Sequence, residues 1–165
     1  MDLTHFKMIL FDWGDTLMRD DPTQSGPMAA WPQVEAILGA AETLATLKAR
    51  GYRLAVATGA ADSDESQIRQ ALGRVNLDRF FEKVYCFANT GQRKPAPGFY
   101  QFILNDLQLQ PGEALMVGDN FTSDVLAANQ VGIPAAWFNP STPENRDGAA
   151  FFTLHHLEEL LAVHP

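Results

Sequence analysis

An uninterrupted apolar run that ends in an aspartate constrains the fold of this chain more than any other feature. Residues 8–11 read Met-Ile-Leu-Phe, and Asp12 follows directly. A short, continuous apolar run predicts a strand that is buried on both faces of a parallel sheet. Because open parallel sheets bind ligands beyond the carboxyl ends of their strands, Asp12 is a candidate for chemistry. The alternative role for Asp12 is an ordinary turn cap.

The rest of the chain alternates short apolar runs with segments of helical periodicity. The runs predict further strands at residues 53–58, 83–88, 114–118, 135–138 and 151–154. The apolar spacing predicts helices at residues 31–50, 62–72 and 97–107, a helix that ends near residue 130, and a last helix after residue 154. Asp62 and Glu65 have the spacing of a capping box for the second helix. This alternation predicts a three-layer, Rossmann-like α/β fold with helices on both faces of a parallel sheet.

Composition limits the classes of protein to which the chain can belong. With 165 residues, 46 % of them hydrophobic, we expect a single domain over residues 1–165 with a short loop or hairpin insertion at about residues 17–30. A net charge of −8 argues against general nucleic-acid binding. Cys86 is the only cysteine, which excludes an internal disulfide and a cysteine zinc cluster. No apolar run is long enough to span a membrane, so we expect a cytoplasmic protein with no membrane partner.

Polar residues follow several of the predicted strands. Asp12, Thr58 and Asp119 stand at strand ends, and Lys94 lies in a loop on the same side. These positions converge on one crevice in a parallel sheet. Two carboxylates suit Mg²⁺, while a hydroxyl, an ammonium and the backbone amides after Asp12 could hold phosphoryl oxygens. A carboxylate that attacks phosphorus would give an aspartyl-phosphate.

Each of these residues also has an ordinary explanation when it is taken alone. Thr58 could be a β-branched strand residue, and Lys94 could be one more solvated lysine. Asp119 and Asp124 could cap a turn or the next helix. The hypothesis of phosphoryl transfer therefore depends on the whole set.

The chain resembles the haloacid dehalogenase (HAD) superfamily, whose four motifs appear here in the family's order. The matching segments are Phe-Asp-Trp-Gly-Asp-Thr-Leu at 11–17, Val-Ala-Thr-Gly at 56–59, Arg-Lys-Pro-Ala-Pro at 93–97 and Val-Gly-Asp-Asn-Phe-Thr-Ser-Asp at 117–124. The resemblance implies that Asp12 is the nucleophile and that the catalytic set is Asp12, Thr58 and Lys94. It implies phosphate binding by Trp13, Gly14, Thr58, Gly59 and Lys94. It also implies that Mg²⁺ is held by Asp12, the Gly14 carbonyl, Asp119 and Asp124, the last directly or through water.

One position departs from the family pattern. Family phosphatases usually carry a second Asp two residues after the nucleophile, as general acid and then as base, and here that position is Gly14. Asp15 lies one residue further on, where an extended segment turns its side chain to the other face. Leaving-group protonation is therefore unassigned, with Asp15 or solvent as candidates. We expect a Mg²⁺-dependent hydrolase of phosphate monoesters. The alternative is a HAD-like phosphate- or metal-binding or regulatory module with little turnover.

The segment between the first two motifs, residues 18–55, is too short for a large cap domain. The chain therefore resembles capless members of the family. We expect a small phosphorylated substrate, or a larger one because the site is uncapped, and no nucleic-acid partner. Phosphonatases have a similar first motif but need a lysine on an inserted cap, and no lysine lies between Leu17 and Trp31. Dehalogenases normally need no metal, whereas this chain keeps the acids of the metal site.

Overall fold

A computed structural model describes residues 3–162 of the chain. This part forms a six-stranded parallel sheet in the order β3-β2-β1-β4-β5-β6. Its strands are β1 (Met8–Phe11), β2 (Arg53–Ala57), β3 (Lys83–Tyr85), β4 (Ala114–Gly118), β5 (Ala135–Phe138) and β6 (Phe151–Leu154).

Helices and short helical turns connect the strands. The α-helices are α1 (Ala40–Ala49), α2 (Glu65–Arg74), α3 (Phe87–Thr90), α4 (Pro97–Leu107) and α5 (Ala127–Gln130). A π-helical segment, Phe121–Leu126, leads directly into α5. Shorter 3₁₀ turns cover Met28–Ala30, Asp78–Phe80, Pro111–Glu113 and Leu157–Leu161. Among residues 3–162, none of the helices combines the length and the apolar character needed to cross a lipid bilayer.

The central strand β1 is buried on both of its faces. Ile9 and Phe11 pack into the apolar cluster under α1 and α2, whereas Met8 and Leu10 pack into the cluster under α4 and α5. All four side chains are fully buried. Alternate residues of a strand point to opposite faces, so one short apolar run supplies both halves of the core. The predicted three-layer α/β fold is confirmed.

The predicted helix at residues 31–50 is wrong in its first half. Helix α1 begins at Ala40, after Gly39 in a left-handed conformation with φ of 79°. Val34 and Ile37 still pack against the core, but the backbone there bonds to the chain that follows β1, since Ile37 N–H donates to the Leu17 carbonyl at 2.9 Å. Apolar residues spaced by three also occur where a non-helical chain contacts the core at intervals. Here this spacing resembled that of a helix.

Three other boundaries differ from the predictions. The capping box of α2 consists of Asp64 and Gln67, not Asp62 and Glu65, and its two hydrogen bonds are both 2.9 Å long. Strand β3 ends at Tyr85, because buried Cys86 begins the short helix α3. Strand β2 ends one residue before Thr58.

The segment after β1 forms a loop that folds back on itself. An isolated antiparallel bridge joins Met18 to Ala36, and Arg19 N–H donates to the Glu35 carbonyl at 2.9 Å. These contacts close the 19–35 loop at its base. Arg74 of α2 fixes its far side by donating to the carbonyls of Ala29, Trp31 and Pro32 at 3.1, 2.7 and 3.2 Å.

Candidate active site

The ends of β1 and β4 bring two acidic residues together at the centre of the sheet. Asp12 follows β1 and Asp119 follows β4, and the two strands are direct neighbours. Asp12 N–H extends the ladder by donating to the Val117 carbonyl at 2.9 Å. The chain leaves β1 towards β2 on one side and later reaches β4 on the other, so this is the switch point at which open α/β sheets form a crevice.

Lys94 links the carboxylates of this crevice. Its Nζ donates to Asp12 Oδ1 at 2.6 Å, to Asp124 Oδ1 at 2.6 Å and to the Ala57 carbonyl at 2.9 Å. Burial alone would lower the pKa of Lys94, but the attraction of Asp12 and Asp124 outweighs it and raises that pKa above its ordinary value. An ammonium has three N–H donors, and all three are engaged. A hydrogen bond from Lys94 to a phosphate therefore requires one of these partners to be exchanged or shared.

Asp12, Asp119 and Asp124 form a compact acidic cluster. One oxygen from each carboxylate lies within 4.8 Å of the other two. Burial and then repulsion from Asp12 and Asp124 raise the pKa of Asp119 to about 7. Burial and repulsion from Asp12 raise the pKa of Asp124 to about 6, although Lys94 opposes this rise. A hard divalent cation would relieve the repulsion, and this all-oxygen donor set fits Mg²⁺.

The two oxygens of Asp124 already have protein donors. Oδ1 accepts from Lys94, and Oδ2 accepts the Asn120 N–H at 2.9 Å. These bonds favour ligation of a metal by Asp124 through water, one of the two modes that the sequence left open.

A single cavity of about 420 Å³ connects this cluster to the phosphate-binding candidates. Its lining contains every site residue that the sequence predicted: Asp12, Trp13, Gly14, Thr58, Gly59, Lys94, Asp119 and Asp124. Thr58 Oγ1 accepts the Ala60 N–H at 3.1 Å, which leaves its hydroxyl proton for a ligand. Within the described chain, the backbone N–H groups of Trp13 and Gly14 donate to no protein acceptor. The structure thus brings the predicted residues together, while their individual roles stay predictions.

The structure adds three residues that hold the metal candidates in place. Thr16 Oγ1 accepts the Asp119 N–H and donates to Asp119 Oδ1, both at 3.2 Å. Trp137 Nε1–H donates to the Asp119 carbonyl at 2.8 Å. A Cβ on Gly118 would lie 2.2 Å from Asp124 Oδ2, so only glycine lets that carboxylate approach. Thr16 and Gly118 lie inside matched motifs and could have been singled out, but no local signal marks Trp137.

The loop side of the cavity contains an acid, Asp20, that the sequence analysis did not single out as a site residue. Asp15 has a left-handed conformation with φ of 57°, and its Oδ1 accepts the Asp20 N–H at 2.9 Å. Asp20 lines the same cavity as Asp12. A Cβ on Gly14 would lie 3.6 Å from Asp20 Cβ and 3.9 Å from Asp20 Oδ2. Asp20 therefore occupies the space beside Gly14.

Comparison with known proteins places this arrangement in a family. Residues 25–138 match the family described as haloacid dehalogenase-like hydrolase. The chain belongs to this HAD family. The matched range includes Thr58, Lys94, Asp119 and Asp124, whereas Asp12 precedes it.

Two curated HAD relatives are named as phosphatases. The chain is 36 % identical over 100 residues to glyceraldehyde 3-phosphate phosphatase from Pyrococcus furiosus, a match that covers 61 % of this chain and 40 % of the relative. It is 31 % identical over 141 residues to ribulose-1,5-bisphosphate 5-phosphatase from Halopiger xanaduensis, with 83 % and 56 % covered. The HAD domain described here therefore spans about half the length of these relatives.

A solved structure matches over nearly the full length. An uncharacterized protein from Listeria monocytogenes serotype 4b has a TM-score of 0.81 at 29 % identity, with 96 % of this chain and 98 % of that chain covered. Mutual coverage of this extent confirms the prediction of a HAD-like fold without a large cap for the described residues.

Proposed function

We propose that this protein is a Mg²⁺-dependent phosphatase that hydrolyses phosphate monoesters through an aspartyl-phosphate on Asp12. One observation carries the proposal: Asp12, Thr58, Lys94, Asp119 and Asp124 line a single cavity at the switch point of the sheet. Two curated relatives with phosphatase names support the same class of reaction.

Asp12 is the nucleophile in this proposal. Lys94 Nζ donates to Oδ1 of Asp12 at 2.6 Å, which leaves Oδ2 to attack phosphorus. The attack forms a bond between Asp12 and phosphorus and breaks the bond from phosphorus to the leaving oxygen. Water then hydrolyses the aspartyl-phosphate and regenerates Asp12, so that one difficult displacement becomes two easier ones.

The phosphoryl oxygens are held by donors around Asp12. The Thr58 hydroxyl and the backbone N–H groups of Trp13 and Gly14 have hydrogens to donate, and Gly59 and Lys94 line the same part of the cavity. Donors that are fixed before the reaction stabilise the charge on these oxygens in the transition state.

Asp12, Asp119 and Asp124, with the Gly14 carbonyl, would hold Mg²⁺. When bound, the ion offsets the repulsion between an anionic nucleophile and an anionic phosphate. Thr16 and Trp137 orient Asp119 through its carboxylate, its N–H and its carbonyl. Such supporting contacts set how well a metal ligand performs.

For the substrate we propose a small phosphorylated molecule, with a larger one also admitted by an uncapped cavity. The named substrates of the two relatives, glyceraldehyde 3-phosphate and ribulose-1,5-bisphosphate, are small phosphate esters. A net charge of −8 disfavours nucleic acid. We assign the activity to the cytoplasm.

The test is phosphate release from p-nitrophenyl phosphate, with and without Mg²⁺. We expect Mg²⁺-dependent release by the wild type and a loss of at least about 10³-fold in Asp12→Asn, as for removal of other nucleophiles. Asp21→Asn is the charge-matched control, because Asp21 does not line this cavity and bonds within its own turn to Thr23. Activity retained by folded Asp12→Asn would contradict the nucleophile. Mg²⁺ binding without turnover in the wild type would favour the regulatory module instead.

A further inference from the structure

The cavity wall beside Gly14 is acidic and has no cation of its own. Asp15, Asp20 and Asp62 line this cavity together with the acidic cluster at the strand ends. Among the described lining residues, Lys94 is the single Lys or Arg, and its three N–H groups are engaged by Asp12, Asp124 and the Ala57 carbonyl. In residues 3–162, Asp20 forms no ion pair. Surrounding carboxylates disfavour the ionised form of a carboxyl and therefore favour its protonated form.

The side chain of Asp20 is placed beside the site by its own loop. It lies 3.6 Å (Cβ) and 3.9 Å (Oδ2) from the point at which a side chain on residue 14 would begin. Asp15 anchors the Asp20 backbone through the 2.9 Å bond to its N–H. The Met18–Ala36 bridge closes the loop directly before Asp20. Asp20 therefore reaches the volume that an acid at position 14 would enter.

We propose that Asp20 is the general acid and then the general base of this reaction, acting from the 19–35 loop in place of the side chain that Gly14 lacks. This inference rests on the proposed phosphatase function. Partial desolvation, followed by repulsion from Asp15, raises the pKa of Asp20 above its ordinary value, although a hydrogen bond from the Asp21 backbone opposes this rise.

The two steps balance in protons and charge. In the first, Asp12 Oδ2 bonds to phosphorus, the bond to the leaving oxygen breaks, and its electron pair takes the proton of the Asp20 carboxyl. The products are a neutral alcohol, the aspartyl-phosphate and the Asp20 carboxylate. In the second, Asp20 accepts a proton from water as the water oxygen bonds to phosphorus. This step releases hydrogen phosphate, frees the Asp12 carboxylate and returns the proton to Asp20.

The other acids of the cavity are less suited to this role. Asp15 Oδ1 already accepts the Asp20 N–H, and Asp62 Oδ1 accepts the Ser63 hydroxyl at 3.3 Å. Asp119 and Asp124 belong to the cluster that would hold the metal. Asp20 is the remaining carboxyl that lines the cavity, and its own hydrogen bond comes from the adjacent backbone N–H of Asp21.

The test compares two leaving groups in the first turnover, measured as alcohol release with Mg²⁺ present. Nitrophenolate departs from p-nitrophenyl phosphate without a proton, whereas the alkoxide of glycerol phosphate needs one. We expect Asp20→Asn to slow release from glycerol phosphate by about 10²–10⁴-fold, the usual contribution of a general acid. We expect release from p-nitrophenyl phosphate to fall less than about tenfold, since proton transfer contributes little there. Asp21→Asn, which removes the neighbouring charge, should leave both rates unchanged.

A double variant provides a second check. In Gly14→Asp/Asp20→Asn the new Cβ makes only ordinary contacts, and the acid is supplied from position 14. We expect release from glycerol phosphate to recover at least about tenfold over Asp20→Asn. Equal losses on both substrates, or no loss on either, would overturn the role of Asp20 while the phosphatase function stands. Absence of Mg²⁺-dependent release in the wild type would overturn both.

Discussion

The two walls of the cavity are built in different ways. The strand-end wall consists of Asp12, Thr58, Lys94, Asp119 and Asp124. Its ion pairs are largely enclosed, with 4 % of the Lys94 side chain, 1 % of the Asp124 side chain and 13 % of the Asp12 side chain exposed. The loop wall consists of Gly14, Asp15, Asp20 and Trp31. Asp15 and Asp20 are exposed, and this wall is held by hydrogen bonds that join a side chain to a backbone group, from Asp20 N–H to Asp15 Oδ1 and from Trp31 Nε1–H to the Gly26 carbonyl.

This difference separates two tasks. Strand ends are fixed by the sheet, so they can hold a phosphate and a metal in a geometry that does not change with the rest of the substrate. A loop tolerates changes in sequence and conformation more readily, so it can adapt to the leaving group. We infer that the strand-end wall binds the phosphate and the metal and supplies the nucleophile, and that the loop wall contacts and protonates the leaving group.

Removing Lys94 should give the largest effect on stability. Lys94→Met keeps most of the apolar part of the side chain but leaves the enclosed carboxylates of Asp12 and Asp124 without their cation. We expect the free energy of unfolding at neutral pH to fall by about 3–5 kcal/mol, the usual cost of breaking a buried ion pair. Chemical denaturation without Mg²⁺ measures this loss. On the loop wall, Asp20→Asn should change the same quantity by less than about 0.5 kcal/mol.

An exposed ion pair is the matched control for Lys94. Arg53 pairs with Glu82 at 2.6 Å, but 46 % and 33 % of their side chains are exposed. Arg53→Met should therefore cost no more than about 1 kcal/mol. Similar losses in the two variants would mean that enclosure of the strand-end wall does not strengthen its dependence on Lys94.

Most of the fold and the strand-end wall could be predicted from the sequence, because both depend on local patterns. Apolar runs marked the six strands, and the polar residue after a run marked the crevice. What could not be predicted depends on contacts between distant segments. The bonds from Lys94 to both Asp12 and Asp124 join parts of the chain 82 and 30 residues apart.

The loop wall could not be predicted from the sequence for a related reason. Asp20 lies in a polar stretch that resembles any surface loop, and its place beside Gly14 follows from how the loop folds back. Trp137 likewise reads as a buried strand residue, and only the folded sheet brings its indole to Asp119. The predicted start of α1 at residue 31 was wrong because Val34 and Ile37 contact the core from a segment that is not helical.

Gly118 offers an intermediate effect on the strand-end wall. A methyl group there would collide with the side chain of Asp124 at 2.2–2.6 Å. Gly118→Ala should lower the free energy of unfolding by about 1–3 kcal/mol, as overpacking does. It should also weaken Mg²⁺ binding by about tenfold or more, because Asp124 is displaced. Calorimetric titration with Mg²⁺ alone measures the second effect.

Gly112→Ala is the control for this change. A Cβ on Gly112 meets no atom within 4 Å, so stability and Mg²⁺ affinity should stay close to those of the wild type. Unchanged Mg²⁺ affinity in a folded Gly118→Ala protein would show that the position of Asp124 does not control the metal site.

The smallest expected effect lies on the loop wall. Arg74 holds the carbonyls of Ala29, Trp31 and Pro32, so Arg74→Met frees the far side of the 19–35 loop. We expect a loss of about 1 kcal/mol in stability and a rise in KM for phosphate esters, with Mg²⁺ affinity unchanged. Lys48→Met, on the exposed face of α1, controls for the lost positive charge. If Arg74→Met weakened Mg²⁺ binding as much as Gly118→Ala, the two walls would be coupled, and the division between phosphate chemistry and leaving-group recognition would be wrong.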